Sequence, residues 1–146
     1  MNAIADTTAV TNLIAGYAEL VDAGDFAGAG ALFADGVFVG SGAPAVGAEA
    51  VEKMLRDTVI RYADGTPRTH HATTNLAVEI DEENGTAAAR SYVTVFQALP
   101  GLPLQPIAAG HYSDRFEHRD GAWRFVSRRV RIRLVGDVSH HLRAAE

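Results

Sequence analysis

The sequence predicts an α+β fold in which three helices come first and a long antiparallel meander follows, the helices lying on one face of a curved sheet. Three observations carry this. Apolar residues recur at helical spacing in three separate stretches before Pro67. From Arg68 onward the period changes to two. The period-two runs are separated by Glu83-Asn84-Gly85 and Arg119-Asp120-Gly121, and Asn-Gly and Asp-Gly favour hairpins because both residues accept the positive φ of a tight turn.

Each element has its own signature. Thr7 or Thr8 is placed to cap a first helix whose Val10, Leu13, Ile14, Tyr17, Ala18 and Val21 form one apolar stripe. It ends at Ala23-Gly24, where glycine takes the left-handed C-cap conformation. Asp25 caps a second, short helix through Ala34, with Phe26, Ala29, Leu32 and Phe33 on its buried side. Asp35-Gly36 turns into a short strand over residues 37–40, and a loop over 41–47 leads to a third helix over 48–62. Val51, Met54, Leu55, Val59 and Tyr62 are its stripe, and Asp64-Gly65-Thr66-Pro67 breaks it. Four strands follow over 69–80, 86–99, 107–118 and 122–135, with a proline-rich loop over 100–106 between the second and third. The tail over 136–146 is expected to be a peripheral arm that contacts another subunit.

At 146 residues, with 47% hydrophobic and 21% charged residues, the chain is expected to be one globular domain spanning 1–146. A net charge of −5 argues against a nucleic-acid surface, and the basic residues of 115–133 alternate with apolar ones as a solvated sheet face would. The absence of cysteine excludes disulfides, thiolate zinc sites and cysteine nucleophiles. Residues 1–10 hold no apolar core of signal-peptide length, and no run approaches the roughly 20 apolar residues that span a bilayer. A cytoplasmic protein without membrane or nucleic-acid partners is therefore expected. The pairs His70-His71 and His140-His141 are adjacent, not at the i, i+4 spacing of a helical zinc site, so no metal is expected. Gly40-Ser41-Gly42 lacks the P-loop lysine and the dinucleotide-binding spacing, and neither Ser41 nor Ser91 has the setting of a nucleophile elbow; no cofactor or covalent intermediate is expected. Abundant Ala, Gly and Arg with a single lysine, Lys53, fit a GC-rich bacterial genome.

The chemistry concentrates in Thr69-His70-His71-Ala72-Thr73-Thr74-Asn75-Leu76, at the head of the first long strand. Adjacent strand residues face opposite ways, so one imidazole faces inward and the other outward. An inward imidazole in an apolar cavity is a natural general base when a carboxylate orients it. Counting back from Leu76, Val78 and Ile80 selects His70; a β-bulge between His71 and Asn75 would shift the facing by one residue and select His71 instead. On the last strand, alternation puts Arg128 on a face with Arg124, Val126, Val130, Ile132 and Leu134, opposite Trp123 and Phe125. An arginine among apolar residues either holds a substrate oxygen or neutralises a buried carboxylate. Trp123 and Phe125, read as exposed, would suit a homo-oligomeric interface.

In order and spacing, several short motifs together resemble the SnoaL-like branch of the nuclear transport factor 2-like superfamily, which includes scytalone dehydratase, hexachlorocyclohexane dehydrochlorinase and polyketide cyclases. They are Tyr17 followed by Val21-Asp22; Ala31-Leu32-Phe33-Ala34-Asp35; His71 through Leu76; Gly110-His111-Tyr112; and Asp120-Gly121-Ala122-Trp123-Arg124-Phe125. The resemblance covers residues 10–135 and implies a cone-shaped barrel. It implies an Asp-His dyad falling on Asp22 and His71, with Asp25 the competing acid, whose spacing to Asp35 does not match the family, and with Arg128 as a third catalytic residue. Tyr17, Val39, Tyr62, His111 and Tyr112 would contact substrate. The chain departs from the dehydrochlorinase at His111, where that enzyme has threonine, so a shared substrate does not follow. The implied activity is a cofactor-independent lyase or isomerase acting on a small, apolar, cyclic molecule. A polyketide-type aldol closure and a non-catalytic ligand-binding or oligomerisation module are the alternatives. A homo-oligomer, dimer or trimer, is also implied.

Overall fold

Helix α1 (Ala3–Asp22) starts a turn earlier than Thr7 or Thr8 would start it, because the Asn2 side chain accepts from the Ile4 and Ala5 amides and caps it there. Val10, Ile14, Tyr17, Ala18 and Val21 form its buried stripe. Gly24 closes it with φ 75°, as expected, and a Cβ there would lie 1.9 Å from the Gly65 carbonyl oxygen, so a second constraint also demands glycine. Asp25 caps α2 (Phe26–Ala31) through the Gly28 amide at 2.8 Å, and residues 32–34 tighten into turns instead of extending the helix. The structure, a computed structural model, describes residues 2–144.

Strand β1 (Val37–Val39) is followed, inside the expected loop, by a two-residue strand β2 (Ala45–Val46) that pairs with it antiparallel. Helix α3 (Ala48–Thr58) stops four residues short of Tyr62, because Val59 is extended (φ −98°, ψ 130°) and bridges Leu142 of the tail. Strands β3 (Thr69–Asp81), β4 (Thr86–Leu99), β5 (Leu102–Arg119) and β6 (Ala122–Val135) form the meander. The expected loop over 100–106 is only a tight turn at Pro100-Gly101; Leu102 already pairs with Leu99. Pro106 is tolerated in β5 because it sits beside a register shift, where the ladder does not need its missing N–H. The order β2-β1-β6-β5-β4-β3 is antiparallel except for β1 on β6, and the curved sheet does not close.

One irregularity corrects the facing of β6. Arg115 pairs with Ser127 and Phe116 with Phe125, leaving Val126 as an extra residue. Trp123 and Phe125 therefore share the inner face with Arg128 and are buried, 8% and 0% exposed, so they offer no surface to another subunit. The Trp123 indole donates to Asp6 at 3.0 Å and ties α1 to the sheet.

The tail differs from the expected peripheral arm over its described part, through Ala144. The Gly136 amide donates to Ile107 O, Ile60 N–H to His141 O, and Arg143 N–H to Thr58 O, strapping residues 136–143 across the protein's own α3 and β5. The end of the tail, residues 145–146, lies outside the described residues. No described helix is long and apolar enough to cross a membrane.

Candidate active site

A bulge in β3 decides which histidine faces inward. Thr74 pairs with Tyr92 and Ala77 with Arg90, so Asn75 and Leu76 stand against Ser91 alone, and Asn75 takes a positive φ of 51°. Asparagine tolerates that conformation better than most residues. The facing flips there, at the end of the expected interval and one residue beyond it. His71 turns in with Thr69 and Thr73, and His70 is exposed near Phe96.

Asp22, the last residue of α1, meets that strand. Its Oδ2 accepts from the His71 amide at 2.8 Å, its Oδ1 accepts from the Thr69 hydroxyl at 2.8 Å, and Oδ1 lies 2.6 Å from His71 Nδ1. A carboxylate at a helix C-terminus is opposed by the macrodipole, and these three donors offset that. Burial works to raise the Asp22 pKa, but the bonds and charge of His71 outweigh it, so the carboxyl is held below its usual range. Since Oδ1 accepts at Nδ1, the proton is assigned to Nδ1 and the lone pair to Nε2. The two side chains are 20% and 9% exposed. Asp25 is occupied by its cap.

Beside this pair lies a second polar group. Arg128, 0% exposed, donates from Nε and Nη2 to the two oxygens of Asp114 at 2.8 and 2.9 Å. Its guanidinium carbon sits 3.6 Å from the Tyr112 ring centroid and 4.6 Å from that of Tyr17, a cation-π sandwich. Nη1 is buried and has no hydrogen-bond partner among the described residues. Burial disfavours the guanidinium charge, but Asp114 more than offsets this and Arg128 stays cationic. Burial also raises Asp114, which Arg128 only partly reverses. Burial raises both tyrosine hydroxyls and the Arg128 charge opposes it only in part: Tyr17 is raised and Tyr112 is pushed up to about 12. Tyr17 and Asp22 both belong to α1, and the Tyr17 ring meets the guanidinium, so α1 joins the two polar groups.

The other expected contacts are not brought there. His111 stacks on Tyr92 at 4.7 Å, on the opposite face of the sheet from Tyr112, with Arg133 3.4 Å from its Nε2. Val39 alternates away from Phe38, and it is Phe38 that stacks on Tyr17 at 6.0 Å. The Tyr62 hydroxyl is tied to the His140 carbonyl of the strap. Three members of the group were missed. Asp114 shares alternation with Tyr112, a signal that was present; Phe38 adjoins Val39. His141, carried in by the tail, had no spacing to mark it. Concavities of about 490 Å³, along residues 79–81, 86–88 and 115–117, and about 290 Å³, at Ala3, Ile4, Thr7 and Thr8, include none of Asp22, His71 and Arg128. Among the described residues no three His, Asp or Glu side chains converge as a metal site would require.

A family model described as a SnoaL-like domain matches residues 2–129. A solved structure of a variant of Rv3472, a protein of unknown function from Mycobacterium tuberculosis, is 26% identical with a TM-score of 0.73, over 92% of this chain and 78% of that one. A nuclear transport factor 2-like protein with a cystatin-like fold from Novosphingobium aromaticivorans is 23% identical, TM-score 0.71, over 87% and 81%. LinA is 19% identical, TM-score 0.73, over 93% and 91%, a likeness of fold. No curated protein sequence matches the chain.

Proposed function

The chain belongs to the family of SnoaL-like domains, and from that premise we propose that it is a cofactor-independent lyase or isomerase acting on a small, mostly apolar, cyclic substrate. The observation that carries the reading is the 2.6 Å contact of Asp22 Oδ1 with His71 Nδ1, which leaves Nε2 without a bonded partner among the described residues. His71 Nε2 takes a proton from carbon, and Asp22 orients the ring and stabilises the imidazolium that forms. The electron pair moves into a neighbouring carbonyl or expels a leaving group. The hydroxyls of Tyr17 and Tyr112 and the unpartnered Nη1 of Arg128 are the donors available to developing oxygen charge.

A positioned base contributes about 10²–10⁴-fold. The test is solvent deuterium exchange at the carbon next to the carbonyl of 2-tetralone, followed by NMR. Exchange above the buffer rate that His71→Ala returns to the buffer rate supports the base; undiminished exchange in His71→Ala overturns it. A second reading, a non-catalytic ligand-binding module, draws support from the placement of the two concavities described above away from the pair. Wild-type protein that leaves a panel of cyclic ketones at the buffer rate, while binding them, would favour it. The same proposal takes the chain as a homo-oligomer through the exposed Ile132, Leu134 and Val135 at the end of β6; a monomer in sedimentation would remove that part.

A further inference from the structure

The strap that closes over the site is held by its backbone. The amides of His141 and Leu142 return to the Val138 carbonyl, Ile60 and Arg143 bond it to the end of α3, and Gln97 Nε2 donates to the His140 carbonyl at 3.0 Å. None of these bonds uses the His141 ring. That ring is 7% exposed and stands edge-on to His71, centroids 6.3 Å apart at 69°. Its Nδ1 is buried and has no hydrogen-bond partner among the described residues. Buried polar atoms are nearly always bonded, so this nitrogen, beside the His71 ring, lacks the partner that such an atom ordinarily has. The residue also lies beyond residue 129, where the family match ends.

We propose that His141 is a substrate-contacting residue of this site, a neutral imidazole whose N–H hydrogen-bonds the oxygen of a small carbonyl substrate while His71 handles the proton on carbon. This rests on the reading of His71 as the base. In the step, a C–H bond next to the carbonyl breaks and its proton goes to His71 Nε2. Its electron pair forms the carbon–carbon double bond and moves the carbonyl pair onto oxygen. His141 donates a hydrogen bond to that oxygen and keeps its own proton. Neutrality suits the role: burial and the charge on His71 hold the His141 pKa down to about 4, against the weaker pull of Asp22. A neutral imidazole still has one N–H to give, and it adds no second cation beside the imidazolium.

The experiment pairs 2-tetralone exchange with binding of 2-naphthol, a planar analogue of the enol, in wild type, His71→Ala, His141→Phe and His141→Gln, with thermal melts as the folding control. His141→Phe is expected to slow exchange and weaken 2-naphthol at least about tenfold, less than the roughly 10²–10³-fold that losing an oxyanion-hole donor costs. His141→Gln, which keeps an N–H, restores most of both. Wild-type rates and affinity in His141→Phe overturn the proposal. Should His141→Phe fail to fold, the ring ¹⁵N shifts of wild-type His141 decide: a shift on adding 2-naphthol supports the contact, and none overturns it. If His141→Phe weakens 2-naphthol while His71→Ala exchanges normally, the contact stands and the base is elsewhere; if only His71→Ala matters, the base stands and the contact falls.

Discussion

Two acid–base pairs lie in one interior, and they differ in what each leaves free. Asp114 takes two nitrogens of Arg128 in a fork, both side chains are fully buried, and two aromatic rings cover the guanidinium. Asp22 takes one nitrogen of His71 and spends its other bonds on the strand backbone and Thr69. In the first pair Nη1 is the guanidinium nitrogen left without a bonded partner among the described residues, and Asp114 holds Arg128 cationic. The second leaves Nε2 of the His71 ring without a bonded partner among the described residues. Ion pairing alone therefore does not separate the two; the ring nitrogen left unengaged at His71 is what singles out the proposed base.

The comparison breaks first at Arg128. Asp114→Ala leaves an uncompensated buried guanidinium and is expected to cost about 3–5 kcal/mol, read as a lowered urea midpoint. Asp22→Ala removes a part-exposed acid and should cost clearly less. Equal losses would erase the distinction between a structural and a reactive pair. His71→Ala moves the other quantity: exchange should fall about 10²–10⁴-fold with the urea midpoint little changed. A large stability loss without a rate effect would make His71 structural.

Acid sharpens the contrast. The depressed value of His141, about 4 against 6.5 unfolded, means that between those pH values the unfolded chain binds a proton that the folded chain refuses. Stability is full above the unfolded value and should fall by about 2 kcal/mol between roughly pH 7.5 and pH 5. His141→Gln should flatten that slope. The lowered pKa of Asp22 acts in a separate window: its contribution is present above the ordinary carboxylate value of 3.8 and is lost as pH falls through the lower folded value. The smallest effect is expected at the bulge. Asn75→Val forces a β-branched residue to a positive φ at a cost of about 1–2 kcal/mol, and exchange should slow if the bulge aims His71. Asn75→Gly should leave both unchanged.

Much of the candidate site's geometry was legible because it sits where local rules act. Asp22 follows the stripe of α1 to its last turn, and Tyr17 and Tyr112 belong to clear apolar faces. Alternation failed at His71 and at Trp123 for one shared reason: a single inserted residue, Asn75-Leu76 against Ser91 or Val126 against the β5 pair, reverses every side chain beyond it. His111 was misplaced because periodicity gives two faces and not which of them is covered.

By itself the sequence determined the order of helices and strands, the hairpin turns at Gly85 and Gly121, most of the core and the family, since these depend on spacing within a few residues of one another. The tertiary structure alone decided that Arg128 is held by Asp114, that β3 bulges at Asn75, that α3 yields its last turn to a bridge with Leu142, and that the tail sets His141 beside His71. Each of these joins groups far apart in the chain. Their energies come from burial and pairing that exist only once the sheet, helices and strap are together, and no local pattern records them.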